Sequence, residues 1–68
     1  MFVKVVELVG ESSSSWKDAV QRAIGEASHS VENITGVEVM NLTANVEHGK
    51  LIEFKANVKI AYTDDVLL

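Results

Sequence analysis

From Ile52 to Tyr62 every second residue is apolar: Ile52, Phe54, Ala56, Val58, Ile60 and Tyr62, with Glu53, Lys55, Asn57 and Lys59 between them. The stretch before it keeps the same period, with Met40, Leu42, Ala44 and Val46 on one parity and Asn41, Thr43, Asn45 and Glu47 on the other. Side chains alternate across a strand, so residues 37–62 read as one long β-hairpin with a greasy face and a wet face. Parity selects the turn. A two-residue His48-Gly49 loop would set Leu42 against Lys55. A three-residue Glu47-His48-Gly49 loop pairs Val46 with Lys50, Ala44 with Ile52, Leu42 with Phe54 and Met40 with Ala56, and places Gly49 in a left-handed bulge position. The second register is the one the pattern predicts. It aims Glu38, on the parity of Met40 and Leu42, at the greasy side, and leaves Val37, Val39 and Leu51 as apolar exceptions on the wet face.

Residues 2–9 are apolar on both parities, broken only by Lys4 and Glu7, as in a strand covered on both faces. Gly10 ends that strand, and Glu11 with Ser12 to Ser15 forms the connector. Ser15 is a natural N-cap, with Asp18 three residues later as a favourable charge for a helix start. Trp16, Ala19, Val20, Ala23, Ile24, Ala27 and Val31 then recur at spacings of three and four, predicting an amphipathic helix over 16–31. Gly25 inside it implies close backbone contact with a neighbour, and Gly36 releases the chain into the hairpin. The order is β-α-β-β in one domain, residues 1–68, of class α+β. A crossover that makes the first strand parallel to the second lets the last strand lie between them, giving a three-stranded antiparallel sheet packed on one helix.

Composition changes this picture at one point. The 68 residues are 47% hydrophobic, which suits a globule, but so short a chain buries little surface. Small domains compensate with disulfides, metals or partner subunits. There is no cysteine, no His/carboxylate cluster has metal-ligand spacing, and so the expectation is a homo-oligomer with no metal site. A net charge of −4 with six Lys and Arg argues against nucleic acid. No apolar run reaches the length of a membrane span, and with no signal-peptide pattern at Met1-Phe2-Val3-Lys4 the expected location is cytoplasmic. The sequons at Asn33 and Asn41 then carry no weight.

Catalysis finds no support. The serines have a capping role, and His29 and His48 show no spacing that implies a triad, so no catalytic residue is expected and the chain reads as a non-enzyme. Trp16 reads as a core anchor, Asp64 and Asp65 as a solvated tail, and residues 66–68 as either a frayed end or a subunit contact. Glu38, aimed at the helix side, calls for a salt bridge, a subunit contact or a ligand.

The run Val3-Lys4-Val5-Val6-Glu7-Leu8-Val9-Gly10, then Ser12, Ser15 and the helix, then Val37-Glu38-Val39 and a long hairpin, resembles the dodecins over nearly the whole chain. That resemblance implies a hollow homododecamer that binds and stores a small ligand, with flavin (FMN or riboflavin) as the family default. Such a shell supplies the missing burial, and the hairpin's wet face would line its interior. The resemblance assigns ligand contact to Gly36, Val37, Glu38 and Lys55. Two of these depart from the flavin-binding pattern: the tryptophan that stacks on the isoalloxazine ring is replaced by Gly36, and the glutamine that bonds the pyrimidine edge by Lys55. Loss of the stack predicts weakened flavin binding. The alternative is a shell-forming structural protein that holds ions or another metabolite.

Overall fold

The computed structural model describes residues 2–64. Four elements follow in order: β1 (Phe2–Ser12), α1 (Trp16–Ala27), β2 (Ile34–Glu47) and β3 (Lys50–Asp64). They form a three-stranded sheet in the order β1-β3-β2, antiparallel throughout, with the helix on one face. The predicted α+β class, the β-α-β-β order and the central place of the last strand are all present.

The core lies where α1 crosses β1 and β3. Ala19, Ala23 and Ala27 present one buried helix face to Ala56, Val58 and Ile60 of β3, with Val6, Leu8, Val20, Ile24, Val31 and Ile34 packed around them. Small side chains let the helix lie close to the sheet, and Gly10 completes that approach. A Cβ built there would collide with the backbone carbonyl of Ala19. Gly10 therefore does not end β1. It pairs with Ala56 inside the strand, which runs on to Ser12 opposite Phe54.

The helix begins as predicted. Ser15 is the N-cap, extended at φ −168°, and its Oγ accepts from the Asp18 amide at 2.9 Å. The helix is shorter than the apolar spacing implies, ending at Ala27. Ser28 turns its hydroxyl back onto the Gly25 carbonyl at 2.6 Å, and Asn33 at φ 58° reverses the chain before β2. Val31 still packs on the core from this loop. Gly25 is exposed, and a Cβ built on it would meet nothing within 4 Å, so the close backbone contact expected there is not made within one chain.

The hairpin departs most from expectation. Its turn has two residues, His48 (φ 53°) and Gly49 (φ 76°), between the paired Glu47 and Lys50. Both central residues are left-handed, as a type I′ turn requires. The parity conflict that argued against this turn is removed by a shift between Asn45 and Val46. Asn45 faces Glu53 while Val46 faces Leu51, which leaves Ile52 as an extra residue on β3. Leu42 thereby meets Ala56 and Ala44 meets Phe54. A second shift, between Val39 and Asn41, leaves Met40 unpaired and reverses parity again. Before it, Val37 faces Ile60, Glu38 faces Lys59 and Val39 faces Val58. Val37 and Val39 are thus on the helix side, and Glu38 is on the far face. Both placements invert the sequence expectation, because a bulge adds one residue without a partner and turns over everything beyond it.

The helix does not cover the whole greasy face. It sits over β1 and β3, and the helix-side residues of β2 stay largely exposed, Val39 at 44% and Leu42 at 49%. Beyond Ser12 and Phe54 the hairpin continues without a third strand, so the molecule is 57 Å long and 19 Å wide.

Candidate functional site

The far face of the sheet is built in cross-strand rows, each set by register. Gly36 faces Ala61, which faces Val5. Glu38 faces Lys59, which faces Glu7. Asn41, Asn57 and Val9 form the next row, and Thr43, Lys55 and Glu11 the last. Opposite charges directly across a ladder attract. Lys59 Nζ lies 3.9 Å from Glu7 Oε1 and Lys55 Nζ 3.8 Å from Glu11 Oε1. These half-exposed pairs are loose, and pairs of this kind contribute little to stability.

Of the four residues assigned to ligand contact, Gly36, Glu38 and Lys55 share this face, whereas Val37 points to the helix side against Ile60. Gly36 and Lys55 are not neighbours. Their rows are six residues apart on β3, on the order of 20 Å at the rise of a strand. Gly36 has open space where a side chain would be, leaving a gap in the row it forms with Ala61 and Val5.

Two shallow recesses meet in the middle of the face. One, of about 340 Å³, is bounded by Glu7, Leu8, Val9 and Asn57, and the other, of about 100 Å³, by Glu7, Met40, Asn41, Asn57 and Val58. The Met40 bulge opens the second. Nothing in the sequence's alternation marks it, since the signal is the mismatch of two registers rather than a residue type. A third recess, of about 370 Å³, lies between the loop after the helix and the end of β3, along Ser30–Asn33 and Tyr62–Asp64. There Asp64 holds Lys4 at 2.8 Å, and that partner raises the lysine's pKa. Asp65 and residues 66–68 lie outside the described residues.

The polar groups at the helix start are fully engaged in structure. Buried Ser12 donates from Oγ to Asp18 Oδ2 at 2.6 Å and accepts from the Ser14 amide at 2.9 Å. Arg22 Nε donates to the same Asp18 oxygen at 2.8 Å. The Arg22 bond, then the Ser12 bond, hold the Asp18 carboxyl below the usual carboxylate range. Trp16 anchors the helix to the hairpin: its Nε1 donates to the Thr43 carbonyl at 2.8 Å, and its ring meets Phe54 edge-on at 4.9 Å. His48 is spent in the turn, and His29 Nδ1 lies 3.4 Å from Glu26 Oε2 at the exposed helix end. Among the described residues no serine, histidine and carboxylate form a hydrogen-bonded triplet, no three His, Cys, Asp or Glu side chains group around a common point, and no helix is long and apolar enough to cross a membrane.

A β-α-β-β domain with an antiparallel β1-β3-β2 sheet packed on one helix defines a small α+β class of protein. The family model for dodecins matches residues 2–65, and the chain belongs to the dodecin family. Solved structures agree in fold. The dodecin of Streptomyces coelicolor is 23% identical at TM-score 0.85, covering 96% of this chain and 94% of its own. A Thermus thermophilus protein is 21% identical at TM-score 0.88, covering 96% and 97%. A calcium-chelating dodecin of Mycobacterium tuberculosis is 23% identical at TM-score 0.80, covering 96% and 93%. Among curated proteins, comparison of sequence gives no match.

Proposed function

We propose that this chain forms a homo-oligomeric shell, a dodecamer by family likeness, that binds and stores a small ligand without catalysing a reaction, and that its affinity for flavin is weak. Membership of the dodecin family supports the shell and the storage role. The observation that carries the weak flavin affinity is the open space at Gly36. A flavin ring is held chiefly by burial and aromatic stacking, and a glycine supplies neither. Lys55 adds a cation where the family pattern has an amide, and it is already drawn toward Glu11.

Titration of FMN or riboflavin into the purified protein, followed by fluorescence quenching with the mass of the assembly measured alongside, tests both parts. The expected result is an assembly of twelve chains with no quenching at micromolar protein. The double variant Gly36→Trp, Lys55→Gln should then bind FMN at least tenfold more tightly. Strong quenching by the wild-type protein overturns the weak affinity, and a monomeric mass overturns the shell.

A second reading is a shell that holds ions. It is favoured by the calcium-chelating relative among the structural matches. One chain offers no group of three ligating side chains among its described residues, so such a site would be shared between copies. Equilibrium dialysis with calcium separates this reading from an organic cargo.

A further inference from the structure

Strand β1 is apolar on both of its faces, and the core uses only one of them. Val6 and Leu8 pack against the buried cluster on the helix side. Val3 and Val5, at the alternate positions, lie on the far face and are 68% and 57% exposed. Their rows carry the apolar surface across the sheet. Val5 faces the half-buried Ala61, Ala61 faces Gly36, and Val3 faces Thr63. Side-chain volume falls from valine to alanine to glycine along the first of these rows, so the surface slopes into the open space at Gly36. An exposed apolar surface rimmed by polar groups marks a contact with something outside the chain.

Size and sign decide what that something is. The surface is two rows long and three strands wide, about 7 by 10 Å. A protein partner needs roughly 800 Å² on each side, so the surface suits a small molecule. Its rim is the row Glu38, Lys59 and Glu7. Lys59 Nζ is drawn toward Glu7, at 3.9 Å, and none of the ion pairs among the described residues includes Glu38. Glu38 stands two residues from Gly36 on the same face of β2, about 7 Å along the strand. An apolar slope therefore ends beside a carboxylate that has no cation of its own. We infer that the surface holds a primary alkylammonium, its carbon chain over Val5, Ala61 and the gap at Gly36 and its ammonium donating to the Glu38 carboxylate. This rests on the storage reading above and goes further, because it names the ligand class. The chain gains by leaving water. An ammonium has three donors and no acceptor, and an ionised carboxylate only accepts, so the polar ends match in a charge-assisted bond. The net charge of −4 favours a cation at longer range as well. An anion of the same shape meets Glu38 as a like charge.

Isothermal titration calorimetry at low ionic strength, with hexylammonium, hexanol and hexanoate as probes, separates the two halves of the site. Hexylammonium should bind saturably, one per chain, and at least about tenfold more tightly than hexanoate. Glu38 and Val5 are both exposed, so conservative changes there leave the fold intact. Glu38→Gln should weaken hexylammonium about fivefold and leave hexanol unchanged. Val5→Thr keeps the branched shape but sets a hydroxyl against the chain, and should weaken hexylammonium and hexanol alike, about fivefold. Absence of hexylammonium binding overturns the inference, as does hexanoate binding equally well. An unchanged affinity for hexylammonium in Glu38→Gln or in Val5→Thr overturns it too. The mass of the assembly is measured alongside. Every group invoked lies on one chain, so a monomer that binds hexylammonium upholds this site and defeats the shell. An intact assembly that binds none of the probes defeats the ligand class alone.

Discussion

At Gly10 a single hydrogen atom sets the distance between helix and sheet. The Ala19 carbonyl occupies the place where any larger residue would put its Cβ, and backbone cannot step aside as a long side chain can. Gly10→Ala should therefore cost about 2–3 kcal/mol, read as a lower urea midpoint with an unchanged slope. Gly36 is the opposite case, with room for substitution. Asp18 makes a second residue-scale prediction. Its folded pKa lies below the ordinary value because Arg22 and Ser12 bond the charged form. The stabilisation is thus fully present above the unfolded pKa, near 4, and is lost as pH falls through the lower folded value. The melting temperature of wild type should exceed that of Asp18→Asn at pH 6, and the gap should narrow as the pH falls below 4. A gap independent of pH would show that the network acts by shape and not by charge.

Strand and helix identities were readable from periodicity because each element's apolar spacing is set by its own geometry. The Ser15 cap was readable for the same reason: its partner is three residues away. What escaped the sequence is register. The apolar parity of the hairpin and the preference of His48-Gly49 for a two-residue turn point to different pairings, and the chain satisfies both by leaving Ile52 without a partner. A local pattern does not report such a compromise, since either register is consistent on its own strand. The same blindness placed Glu38 on the wrong face, because the Met40 bulge lies between it and the residues used to set its parity. The candidate site was half legible for this reason. Gly36, Glu38 and Lys55 share the far face while Val37 points to the helix side, and the 20 Å order of separation between the Gly36 and Lys55 rows follows only from the pairing. The helix end was missed because Ser28 and Asn33 stop it by their own bonds and backbone angles while Val31 keeps the apolar spacing going.

For the whole molecule, the shape matters more than any single contact. A compact chain of this length has a radius of gyration of about 11 Å, and here it is 14.1 Å because the hairpin extends past the helix. In the proposed shell, contacts that would close a globule are made with another chain. Folding and assembly are then one reaction, and the melting temperature should rise with total protein concentration. Differential scanning calorimetry over a hundredfold range of concentration checks this; a constant midpoint would mean that the single chain is stable alone.

The alanine face of the helix carries a thermal consequence. Heat-capacity change on unfolding follows the apolar surface exposed, and three alanines against Ala56, Val58 and Ile60 bury little of it within one chain. In the proposed shell, surface that copies bury on one another adds to the curvature in stability against temperature. Dilution of such a shell would flatten that curve as well as lower it, and the range of temperatures tolerated would then belong to the population rather than to the individual chain.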